Sequence, residues 1–180
     1  MGHATCAYLG DILGLEYIYE SIDRDEVYIL VRNAMQESAQ ALSKKYGVEL
    51  GDIMNHIADL LFRFTNAALK DTCKRVGGDP KRKLSPADRL IRSSATALEM
   101  GITPAYIAVG AAAGLRRYIA EAEGMEQNLE NAKAVLAEVS ELNADSELAK
   151  LILGMYEKIL AGYSLKQLRL AADAIKAANT

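Results

Sequence analysis

The densest chemistry in the sequence lies in Lys74-Arg-Val-Gly-Gly-Asp-Pro-Lys-Arg-Lys-Leu84, where five cations fall within ten residues and two adjacent glycines release the backbone. Arginine offers a planar fork that matches carboxylate or phosphate oxygens, and lysine adds a mobile point charge, so such a loop has the means to clamp a small anion. A solvated charged face is the plain alternative. Lys74 and Arg75 also stand near the end of a helical pattern, where cations complement the macrodipole. No aromatic residues interleave with the cations, which argues against a nucleic-acid surface.

Other reactive types are sparse. His3 and His56 are too few and too separated to make a metal centre, and Cys6 and Cys73 belong to no CxxC pair or Cys/His cluster. The two cysteines read as reduced thiols of a cytoplasmic protein. HExxH, GxSxG and GxGxxG are all missing, and metal catalysis is not expected. The 21 basic and 24 acidic residues nearly cancel, which leaves no global field to draw the chain to nucleic acid or an anionic membrane. No apolar run of about 20 residues and no signal-like segment occurs.

The elements that position these residues are helices. Apolar residues recur at helical spacing almost throughout, and alternating β-branched runs are missing, so the expectation is an all-α fold: one domain over residues 1–180, a bundle of about eight to ten helices. A stripe of Val27, Leu30, Val31, Ala34, Met35, Ser38 and Leu42 predicts a helix from about Arg24 to Tyr46, with Asp23 as N-cap and Gly47 as the stop. Further helices are predicted over Asp52–Phe64 and over Ala67–Val76, the latter ended by Gly77. Ser85 with Pro86, and Thr103 with Pro104, read as N-cap and N1 pairs that start two more, ending near Gly101 and Gly124. Met125–Val139, Ser146–Leu160 and Leu165–Ala178 complete the set, the last opened by a Ser164/Gln167 capping box. The small-residue run Gly110-Ala-Ala-Ala-Gly114 lies inside a helix and reads as a place of close helix approach rather than a phosphate loop.

Specific strings also resemble a known family. Gly2-His3-Ala4 followed by Ala7-Tyr8-Leu9-Gly10 and Gly14, then Arg63-Phe64, Leu69-Lys70-Asp71, Arg75-Val76-Gly77, Arg82-Lys83-Leu84-Ser85, Asp88-Arg89-Leu90-Ile91 and Asn143-Ala144-Asp145-Ser146-Glu147 are similar to the C-terminal domain of the polyol-specific long-chain dehydrogenases, the mannitol dehydrogenase family. The nearest branch is the one acting on mannitol 1-phosphate. The resemblance implies a two-domain oxidoreductase without catalytic metal, in which an N-terminal Rossmann-type domain, not contained in this chain, binds NAD. The reaction implied is hydride transfer between mannitol 1-phosphate and fructose 6-phosphate. In the family pattern Lys-x4-Asn-x2-His, His3 takes the last place, and the general-base lysine and the asparagine would precede Met1. His3, Arg75, Arg82 and Lys83 are then the substrate-binding candidates, and no catalytic residue is expected within the chain. Gly78 stands where arginine is usual in the phosphate branch, so an unphosphorylated polyol or hexuronate stays open as substrate. A non-catalytic helical module that binds a sugar phosphate is the other alternative. His56 is expected to be structural.

Overall fold

Side-chain size decides what occupies the centre. The helix carrying Gly110-Ala-Ala-Ala-Gly114 has almost no side chain to push neighbours away, and every residue from Ile107 to Leu115 is buried. In the computed structural model, which describes residues 1–179, this helix is α8 (Ala105–Glu121), and α1 (Gly2–Ile12) lies directly across it. A Cβ at Gly110 would stand 2.5 Å from Thr5 Oγ1, and one at Gly114 would stand 2.9 Å from Tyr8 Cε2. The small-residue run is therefore a packing seam.

Around this pair are α2 (Ile18–Ile22), α3 (Asp25–Tyr46), α4 (Leu50–Phe64), α5 (Cys73–Val76), α6 (Pro80–Lys83), α7 (Arg89–Glu99), α9 (Leu129–Val139), α10 (Glu147–Leu160) and α11 (Leu165–Ala178). Eight of the eleven helices run eleven residues or longer, and the described residues form no strand, only an isolated antiparallel bridge between Tyr17 and Thr72. The fold is an all-α bundle. One continuous apolar core joins α1, α3, α8, α9, α10 and α11.

Several boundaries follow the expected physics. Gly47 ends α3 at φ +68°, where its N–H reaches the Ser43 carbonyl at 2.9 Å, and Lys44 and Lys45 fill the last turn. The Ser164/Gln167 capping box opens α11, and the Ser146 side chain caps α10.

Others differ, each for a local reason. Arg24, not Asp23, takes the N-cap position of α3, and no side chain caps it. The expected helix over 67–76 is broken: a 3-10 turn covers Ala67–Leu69, Lys70 turns the chain at φ +48°, and α5 begins only at Cys73. The intervening backbone bonds elsewhere, with the Ile18 N–H donating to the Asp71 carbonyl at 2.9 Å and the Cys73 N–H donating to the Glu16 carbonyl at 2.8 Å. Asn66 and Thr72 supply turn and cap bonds that compete with a continuous helix. Ser85-Pro86 does not start a helix. Pro80 does, at the first position of α6 with Asp79 as cap, while Asp88 caps α7. Pro104 is itself the N-cap residue of α8, one position off the expected register, and α9 starts late, at Leu129 behind the Asn128 cap.

Candidate functional site

The first turn of α1 aims His3 at the end of α4, where its ring stacks on Phe64 with centroids 4.7 Å apart and planes 14° from parallel. Beside this stack is a cleft of about 310 Å³, whose wall includes His3, Arg63, Phe64, Asn66 and Asp71 together with Ile18, Tyr19, Met35, Leu60 and Leu69. A few polar groups share the wall with apolar side chains, which is the usual make-up of a small-molecule site.

Asp71 joins the sequence-predicted residues. Its Oδ1 pairs with the Arg75 guanidinium one turn ahead, and its Oδ2 lies 3.5 Å from His3 Nε2, too far for a hydrogen bond. His3 is lowered to a pKa of about 4, first by burial and then by the surrounding positive charge, to which Arg75, Arg63 and Arg89 contribute. The imidazole is neutral at physiological pH. It can donate or accept a hydrogen bond without carrying charge.

Lys83 and Arg82 lie outside the cleft wall, on α6. Lys83 is 4% exposed, with its ammonium donating to the Gly78 carbonyl inside the basic loop. Its pKa is depressed by burial foremost, then by the neighbouring charges of Arg82 and Arg89, with Asp79 and Asp88 opposing. Arg82 is held by Asp79, whose Oδ2 is 3.0 Å from Nε, and approaches Asp88 at 4.0 Å. Asp79 adopts φ +53° and also accepts the Arg82 N–H, so one residue both turns the loop and fixes its cation. A Cβ at Gly78 would lie 3.1 Å from the Arg75 carbonyl oxygen, so this position is tight for any side chain.

The structure thus places Asp71 beside both residues, paired with Arg75 and 3.5 Å from His3, and groups Lys83 with Arg82 and Arg89. Arg89 acts electrostatically on both His3 and Lys83. Sequence reasoning took the loop cations and missed Arg63, Asp71 and Arg89, although all three stand inside the quoted strings; counting charges pointed away from an aspartate and from arginines outside the run. His56 lies on the exposed face of α4, away from the cleft wall. Cys6 and Cys73 are free and buried, and burial pushes both thiols up. Among the described residues, no three His, Cys, Asp or Glu side chains gather as a metal-binding group, and no helix is long and apolar enough to cross a membrane.

Comparison with known proteins gives this geometry a setting. Mannitol-1-phosphate 5-dehydrogenase of Caldanaerobacter subterraneus subsp. tengcongensis is 44% identical over 113 residues, which is 63% of this chain and 29% of that protein. The enzyme of the same name from Thermoanaerobacter pseudethanolicus is 42% identical over 112 residues, 62% of this chain and 29% of its own length. The matched segment therefore spans less than a third of these relatives. Residues 1–162 match the mannitol dehydrogenase C-terminal domain, and the chain belongs to that family.

Proposed function

We propose that this chain is the substrate-holding domain of a cytoplasmic, NAD-dependent polyol-phosphate oxidoreductase that interconverts mannitol 1-phosphate and fructose 6-phosphate. The observation that carries the reading is the convergence of a neutral His3, Arg63 and Asp71 on a cleft of about 310 Å³, with Arg75 paired to Asp71 outside the wall and Arg89 acting electrostatically on both His3 and Lys83. His3 hydrogen-bonds a substrate oxygen, and its neutrality spares it a competing salt bridge. Arg75, Arg82 and Lys83 stand outside the cleft wall, and in this reading they hold the far end of the polyol or its phosphate where it extends past that wall. The described residues contain no strand-to-helix glycine turn of the kind that seats a dinucleotide pyrophosphate. No step of hydride transfer is assigned to them. In this reading the cofactor and the general-base lysine belong to an N-terminal Rossmann-type domain. The cytoplasmic placement rests on two free, buried thiols.

One observation favours a second reading, an unphosphorylated polyol or hexuronate. Arg75 and Arg82 already carry carboxylate partners in Asp71 and Asp79, which spends part of the charge a phosphate would need.

The test joins this chain to a cofactor domain of the relatives' type and compares Arg75→Ala and Lys83→Ala on mannitol 1-phosphate and on mannitol. Truncating a cation that pairs with a desolvated phosphate costs about 2–5 kcal/mol, against about 0–1 kcal/mol for a solvated charge. The expected result is a loss of kcat/KM confined to the phosphorylated substrate. Equal loss on both substrates moves these side chains to polyol hydroxyls. No loss on either overturns the site assignment, provided thermal melts show both variants folded.

A further inference from the structure

The Asp71 carboxylate is the least explained group in the cleft. Its side chain is 18% exposed, and Oδ1 is engaged by Arg75. Oδ2 lies 3.5 Å from His3 Nε2 and receives no hydrogen bond from the described residues, and Asp71 is among the residues that line the cleft. An ionised carboxylate has about four acceptor positions. Oδ2 therefore keeps acceptor capacity that no residue spends.

Its position is also fixed unusually well for a residue between two short helices. The Asp71 carbonyl accepts the Ile18 N–H, the next residue bridges to Tyr17, and the Cys73 N–H is bonded to Glu16. This small antiparallel contact anchors the backbone, and the Arg75 pair anchors the side chain. A preset acceptor of this kind suits a ligand that brings its own donors. Apolar surface from Phe64, Met35 and Leu60 lines the same hollow and offers contact for C–H groups. A neutral chain of alternating C–H and O–H groups meets both demands.

We infer that Asp71 is a specificity-determining residue of the cleft, accepting a hydrogen bond from a substrate hydroxyl through Oδ2 while Oδ1 keeps the Arg75 guanidinium aligned. The inference rests on the polyol reading above and adds a substrate contact to it. Asp71 differs from Lys83 in what it recognises: it answers to a hydroxyl that phosphorylated and unphosphorylated polyols share.

The experiment pairs residue and substrate changes in the protein joined to its cofactor domain. Asp71→Ala and Asp71→Asn are assayed on mannitol and on a series of its monodeoxy analogues. For Asp71→Ala the expected loss of kcat/KM on mannitol is about ten- to a hundredfold, the range for a hydrogen bond to a charged group, and at least as large on mannitol 1-phosphate, where Arg75 also loses its alignment. One deoxy analogue should lose as much with the native protein and nothing further with Asp71→Ala. Asp71→Asn keeps an acceptor and the shape, so partial retention of activity is expected, and it reports on the site should the alanine variant fold poorly. Strictly multiplicative losses across every analogue overturn the hydroxyl contact. A native protein inactive on all polyols overturns the function reading itself, which is a separate outcome visible before any variant is made.

Discussion

His3 shows how burial changes the chemistry of a single residue. With its pKa lowered from 6.5 to about 4, the unfolded chain binds a proton on this ring at a higher pH than the folded chain does. The stability linked to the neutral ring is therefore complete above pH 6.5 and is lost as pH falls through about 4. Nuclear magnetic resonance titration of the ring protons should place the His3 midpoint near 4. A midpoint near 6.5 would mean that the ring is solvated and that the Phe64 stack does not shield it. The stack matters because it orients the imidazole edge-on toward Asp71 and the cleft.

At the scale of elements, the beginning of α8 is finished by another helix. Pro104 has no polar side-chain group to cap with, and Glu37 of α3 does the work, accepting the Tyr106 N–H at 3.1 Å and the Ile107 N–H at 3.0 Å. Glu37 is 2% exposed, and burial raises its pKa to about 7, against the two N–H bonds and Lys176, which favour the anion. With the folded value above 4.5, the group's contribution is fully present below pH 4.5 and is lost as pH rises through 7. Glu37→Gln keeps an acceptor for both N–H groups and removes the buried ionisation. Its urea midpoint relative to the native protein should improve steadily from pH 5 to pH 8. Glu37→Ala, leaving two donors unpaired, should cost about 1–3 kcal/mol per orphaned group at every pH.

Contacts distant in sequence explain part of what the chain could and could not show by itself. The long helices α3, α10 and α11 were legible because their stripes, caps and stop glycines are local. α1 was not marked by periodicity, since Ala4 through Gly10 are buried on all sides and an all-round apolar helix has no stripe. The break at Lys70–Thr72 was hidden because its cause is a bond to Glu16 and Ile18, more than fifty positions away in the chain. Asp71 was hidden with it: its role comes from that pairing, and a lone aspartate beside a run of cations reads as a counter-charge. His3 and Arg75 were legible as a pair only through the family strings, and Arg89 needed coordinates to stand near both.

For the whole molecule, the two buried thiols turn chemistry into a clock. Cys6 is in α1 against the core and Cys73 opens α5 beside Ser21, with Sγ 3.2 Å from Oγ, so neither can meet a thiol reagent in the closed protein. Burial pushes both thiols toward the protonated form, which slows them further even when briefly uncovered. Labelling with a chromogenic disulfide should therefore wait on opening of the structure. If the bundle opens as one body, both thiols will react in a single phase whose rate follows global stability as denaturant is added. A faster phase at Cys73 alone would reveal that the 16–18 and 71–73 contact lets go while α1 stays packed on α8. The anchor under the cleft would then be the first part of this protein to breathe, and the timing of one sulfur would measure how rigidly the binding site is held.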